Sequence, residues 1–245
     1  MERAKHIIAV IICIVFFAPD SYPGNRESIY KAYISGRIDE WKRVIDRMEE
    51  NKSMSSGAIL ELINYQYGYI AWCMGEDNKK EARKYLDLAE ANLDILEDRG
   101  YKPSQVYFYK STFSAFRISF NVLKAPFLGP RSLKYAELSI EQDPQNPFAQ
   151  LVNGSARFFM PENLGGSKET GIRHYLKALE LMEKDSIYTD NDWNYLNLLA
   201  AIGRAYEETG QYSEAIKYYR KALEAEPSFS WVKNELLPNL LKKQN

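Results

Sequence analysis

Toward the end of the chain, large apolar residues recur at alternating steps of three and four. Leu199, Ile202 and Tyr206 therefore share one face of a predicted helix. Gly203 lies on that face without a side chain, which lets a second helix approach closely. Gly210 follows and suits a left-handed helix end. The second helix carries Ala215, Tyr219 and Ala222, two small contacts with a ring between them, and Pro227 stops it.

The same spacing runs upstream in weaker copies. Gly171, Tyr175 and Ala178 keep it, behind Gly154 in an apolar helix from Phe148 to Phe159. Ser132, Ala136 and Ser139 keep it with Pro144 as terminator. Ala82, Leu86 and Ala89 follow a helix containing Tyr65, Gly68 and Trp72. Near the start, Gly36, Ile45 and Met48 fit, but Trp41 stands where alanine is expected, so the first unit reads as a degenerate repeat or a cap. A long helix from Pro103 to Leu123 presents Val106, Tyr109, Phe113, Phe116, Phe120 and Leu123 as one stripe. That stripe is either solenoid core, the favoured reading, or an aromatic ligand channel. Trp231, Leu236, Leu237, Leu240 and Leu241 predict a last helix covering the open end, bent or split by Pro238, with Lys233, Asn234, Lys242 and Lys243 outside.

The residues from Leu199 to Pro227 resemble the tetratricopeptide repeat, with Leu199 where that family prefers tryptophan. The resemblance implies an all-α fold: a right-handed superhelical solenoid of antiparallel helix pairs, about four to five repeats plus a C-terminal capping helix. The repeat domain would occupy 22–245, with its most regular repeat at 196–229 and the capping helix at 230–243. It also points to binding rather than catalysis.

Charge changes the picture little. The 245 residues carry a net charge of −1 with both signs interspersed, so nucleic acid is not an expected partner. Residues 1–21 read as a signal peptide or an uncleaved anchor: Arg3, Lys5 and His6 precede an apolar run from Ile7 to Ala18. Export to the periplasm or cell envelope is expected, with membrane contact only through this leader. Ile12 before Cys13 is too large for a lipoprotein site. Removal of the leader leaves Cys73 alone, read as a buried structural thiol.

Candidate chemistry is thin. His174 has no Asp, Glu or Cys at ligand spacing, so no metal site is expected. The run Gly165–Thr170 lacks the first glycine and the Lys-Ser/Thr pair of a phosphate loop, and Ser167 is read instead as a helix cap. No cofactor and no enzymatic activity are expected.

Two turns depart from the repeat, Ala125–Pro130 and Met160–Gly166, each with proline as its second residue and an apolar residue just before glycine. They are expected to lie side by side as a lip, with Phe127, Leu128 and Leu164 either packed down as local core, the favoured reading, or exposed as a contact surface. Such an insertion looks like that of secreted bacterial tetratricopeptide proteins. It is similar, more weakly, to the periplasmic repeat component associated with TRAP-type solute transporters.

The family's inner-face positions imply a partner-binding groove lined by Asn197, Arg204, Glu207 and Glu208, by Ser155, Phe158 and Phe159, and by Tyr69 and Trp72. Ala200 and Arg204 stand where the chaperone-type carboxylate clamp has lysine and asparagine, which speaks against that specialised activity. The expected function is a non-catalytic scaffold for a protein or peptide segment. The alternative is a transporter accessory binding a small apolar ligand.

Overall fold

The structure, a computed structural model, describes residues 24–244. The leader, with Arg3, Lys5, His6 and Cys13, lies outside them. The described chain is built from α1 (Asn25–Ser35), α2 (Ile38–Glu49), α3 (Ser56–Gly75), α4 (Lys79–Asp98), α5 (Pro103–Phe120), α6 (Ala125–Gln142), α7 (Pro147–Phe159), α8 (Lys168–Met182), α9 (Trp193–Glu208), α10 (Tyr212–Ala225) and α11 (Leu237–Gln244). No strand occurs among the described residues. Successive helices form hairpins, from α1 with α2 to α9 with α10, and each hairpin stacks on the next. This is a tetratricopeptide-like solenoid.

The hairpins are held by locks that the sequence spells out. A Cβ added to Gly203 would lie 2.6 Å from Tyr219 Cδ1, and one on Gly154 equally close to Tyr175 Cδ1. Glycine on one helix thus admits the tyrosine ring of the next. The α5–α6 hairpin uses serines instead. Ser104 Oγ donates to the Ser139 carbonyl at 2.8 Å, and Ser139 Oγ donates back to the Ser104 carbonyl at 2.7 Å. Ser111 and Ser132 repeat the exchange at 2.8 Å each. Small hydroxyl side chains allow close backbone approach and leave no buried donor unpaired. Helix α8 is capped by a side chain, Ser167 Oγ accepting from the Thr170 amide at 3.1 Å as its sequence context predicts.

Two elements differ from expectation. Helix α5 stops at Phe120, so Leu123 leaves the stripe and stands exposed in a 3-10 turn. The segment 125–130 is not an open turn but the start of α6. Pro126 occupies the first turn, where no amide is needed, and Pro130 removes only one early hydrogen bond while keeping a helical φ. The capping segment falls into two consecutive pieces, a π-helical stretch at Val232–Leu236 and then α11 from Leu237, with Pro238 in the first turn of the second. The wider π-helical turn relieves the proline clash.

The first hairpin is complete, and it closes the stack. Trp41 is buried, donates from Nε1 to the Tyr65 carbonyl at 2.9 Å, and meets Trp193 of α9 edge-on at 4.9 Å. Tyr33 packs against both tryptophans and Phe229, and its hydroxyl donates to Asn197 Oδ1 at 3.1 Å. Tyr30 donates to Glu226 Oε2 at 2.9 Å, and Arg26 pairs with Asp192 at 3.3 Å. The N-terminal hairpin therefore docks on the last repeat.

Candidate functional site

Closure fills much of the concave face. At its centre, Trp193 Nε1 donates to Asn64 Oδ1 at 2.9 Å, while Asn64 Nδ2 donates to Tyr109 Oη and Asn194 Oδ1, both at 3.1 Å. Gly68 makes room for the two tryptophans: an added Cβ would stand 2.6 Å from Trp41 Cζ2 and 2.8 Å from Trp193 Cη2. Burial pushes the carboxyl of Asp192 up, with Asn194 and Arg26 pulling it back. On α5, Val106, Tyr109 and Phe113 are buried and Phe116 half-buried, so this part of the stripe is core rather than channel.

What stays accessible lies toward the ends of α7 and α9. Arg204 is exposed, with its guanidinium over the Trp231 ring at 5.8 Å and no ion-pair partner among the described residues. Tyr33 lies close to it. Burial raises the Tyr33 hydroxyl, Tyr67 adds to the rise, and the Arg204 charge opposes it. Burial alone pushes Tyr67 up to about 12. Glu207 accepts from the Tyr219 hydroxyl at 3.0 Å and from Lys243 at 2.7 Å. Glu208 pairs with Lys168 at 2.8 Å, and Ser155 accepts from the Tyr175 hydroxyl at 3.1 Å.

The expected groove residues thus divide. Arg204, Glu207, Glu208 and Ser155 cluster around this opening, while Asn197 is engaged by Tyr33. Tyr69 and Phe158 are corrections, since both are buried: Tyr69 packs on Tyr85 at 4.8 Å, and Phe158 seals the Gly171 contact. Trp72 is partly exposed beside Tyr69 but belongs to the far repeat. Phe159, Phe127 and Leu164 are exposed and Leu128 is half-buried: Phe159 ends α7, Leu164 lies in the turn after it, and Phe127 and Leu128 stand in the first turn of α6, so the expected packing of Phe127 and Leu164 as local core is a further correction. Tyr33 and Trp231 were missed as neighbours of Arg204. Trp41 at an alanine position was the signal for a long-range contact, but it does not say with what.

Reactive groups are subdued. Burial pushes the Cys73 thiol up to about 11, away from the nucleophilic thiolate. His174 contacts Gln150 Oε1 through Nδ1 at 2.9 Å, and burial, then Arg157 and Arg173, lower its proton affinity. Among the described residues no cluster of three His, Cys, Asp or Glu could hold a metal ion, and no helix is long and apolar enough to cross a membrane.

Residues 196–229 match the tetratricopeptide repeat family. No curated protein matches the chain. Two solved structures share the fold. The HusA haemophore from Porphyromonas gingivalis is 16% identical with a TM-score of 0.58, covering 77% of this chain and 97% of its own. TTC0263, a thermophilic tetratricopeptide-repeat protein of Thermus thermophilus, is 18% identical with a TM-score of 0.57, covering 89% and 98%.

Proposed function

We propose that this chain, a tetratricopeptide-repeat protein, is a non-catalytic scaffold that holds a segment of another protein at the open part of its concave face. The carrying observation is Arg204, an exposed cation without an ion-pair partner among the described residues, set beside Trp231 and Tyr33. Such a group suits a carboxylate with apolar neighbours, since guanidinium binds carboxylates in a fixed fork and rings supply contact area. The matching family and fold support the scaffold reading, and the basic-then-apolar leader supports placement in the cell envelope.

Peptides selected from a displayed random library on the full chain test this. Enriched sequences should carry acidic residues, bind at least about ten-fold more weakly to Arg204→Glu, and keep part of their affinity for Arg204→Lys. Equal binding to all three proteins would sink the proposal. The transporter-accessory alternative predicts instead that an apolar dye binds with a saturable stoichiometry and competes with no peptide.

A further inference from the structure

The most exposed apolar side chains gather at two neighbouring helix junctions. Five of them are between 66% and 81% exposed: Val122 and Leu123 between α5 and α6, Phe127 in the first turn of α6, Phe159 at the end of α7 and Leu164 in the turn after it. Helices α5 and α7 pack together, so their C-terminal ends fall on one edge of the stack. These residues stand on convex turns rather than in a groove. Burying them needs a surface that yields to them.

Cations predominate around the first of these turns. From Lys110 to Ala136 the sequence holds five lysines and arginines and no carboxylate, although the whole chain has a net charge of −1, and Asp87 and Glu90 of α4 neutralise one of them, Arg117. Lys124 lies inside the first turn, and Arg131 follows nearly two helical turns into α6. The start of α4 adds Lys80, Arg83 and Lys84, tied to this edge by the Arg83 guanidinium over the Phe120 ring at 5.2 Å. Lys80 and Lys124 are exposed and have no ion-pair partner among the described residues. Within 121–130 and 160–167 the single carboxylate is Glu162.

We propose that this edge is a peripheral docking surface for an anionic lipid bilayer. Phe127, Leu123 and Val122 enter the headgroup–acyl boundary, with Phe159 and Leu164 beside them, while Lys124, Lys80, Arg83 and Arg131 meet lipid phosphates. Protruding apolar groups ringed by cations match such an interface, where apolar burial and attraction to anionic headgroups add. An acidic protein groove would satisfy the charges but would have to envelop two separate convex turns. The surface is distinct from the Arg204 opening, so either proposal can fail alone.

The test is sedimentation of the full chain with vesicles of phosphatidylcholine alone and of an equal mixture with phosphatidylglycerol. Binding should require the anionic lipid and weaken with added salt. A Val122→Ser, Leu123→Ser, Phe127→Ser variant should bind about ten-fold more weakly or worse, with an unchanged circular dichroism spectrum. Because the leader could add its own affinity, lysine acetylation of vesicle-bound protein is mapped by mass spectrometry. Lys80 and Lys124 should be protected, while Lys52 and Lys102 on the opposite edge keep their reactivity. No binding to the mixed vesicles overturns the proposal, as do unprotected Lys80 and Lys124 in bound protein, or self-association through this edge in place of lipid binding.

Discussion

Trp193→Ala tests whether closure by the first hairpin is a principal source of stability. Trp193 is buried, touches Trp41 at 4.9 Å, Tyr33 at 5.6 Å and Tyr67 at 5.9 Å, and sits over Gly68. Truncating a buried tryptophan costs about 3–5 kcal/mol, from lost burial plus the cavity left behind. Collapse should be poor here, because the cavity walls come from three hairpins that are each braced elsewhere. The lost Nε1 hydrogen bond adds little, since Asn64 Oδ1 still accepts from Asn194 Nδ2 at 3.2 Å. For a chain of this size each kcal/mol shifts Tm by roughly 2–4 °C, so a fall of about 6–20 °C is expected in thermal unfolding followed by circular dichroism. Hydrogen exchange should also accelerate in α1 and α2, far from the mutation in sequence. A Tm fall below about 3 °C, or faster exchange confined to α9 and α10, would refute the reasoning.

Gly203→Ala should destabilise by about 1–3 kcal/mol, because its Cβ meets the Tyr219 ring, whereas Gly129→Ala in open space within α6 should be neutral or stabilising by up to about 1 kcal/mol; paired chemical denaturation reads both. His174 is held neutral by burial and two arginines, so the folded state binds fewer protons than the unfolded one below the ordinary value of 6.5. Stability should therefore fall as pH drops from about 6.5 through the lowered folded value, and His174→Gln should flatten that slope; an unchanged slope contradicts the assignment. Cys73 should resist maleimide in the native protein and react on unfolding, as read from its tryptic peptide; fast native labelling would show the helix to be open.

Legibility in the sequence followed the range of the interaction. Gly203 with Tyr219 and Gly154 with Tyr175 were readable because both partners lie within one hairpin, where helical periodicity fixes who meets whom. The serines at 132 and 139 fitted the ruler, but their exchange with Ser111 and Ser104 is a choice among hydrogen bonds that spacing does not specify. Pro130 misled because proline is a helix breaker only where an amide is required. The contact of Tyr33 with Asn197 was illegible for a different reason. It depends on the accumulated rotation of four stacked hairpins, and a small error per step moves the ends far apart. The groove assignment inherited that gap: Arg204 stayed accessible, while Asn197 was covered by a helix from the other end of the chain.

The closure has a consequence for how the molecule is made. Tyr33 and Asn197 are separated by 164 positions, and Tyr30 and Glu226 by 196. At ribosomal rates of 5–20 residues per second, α1 waits about 10–30 s before its partner in α9 emerges. Throughout that interval the ring of Trp41 lacks its cover from Trp193, and the inner faces of the middle hairpins are uncapped. The first hairpin to leave the ribosome is the last to be finished, and the nascent chain is most exposed to holding factors and to misassociation in the time between.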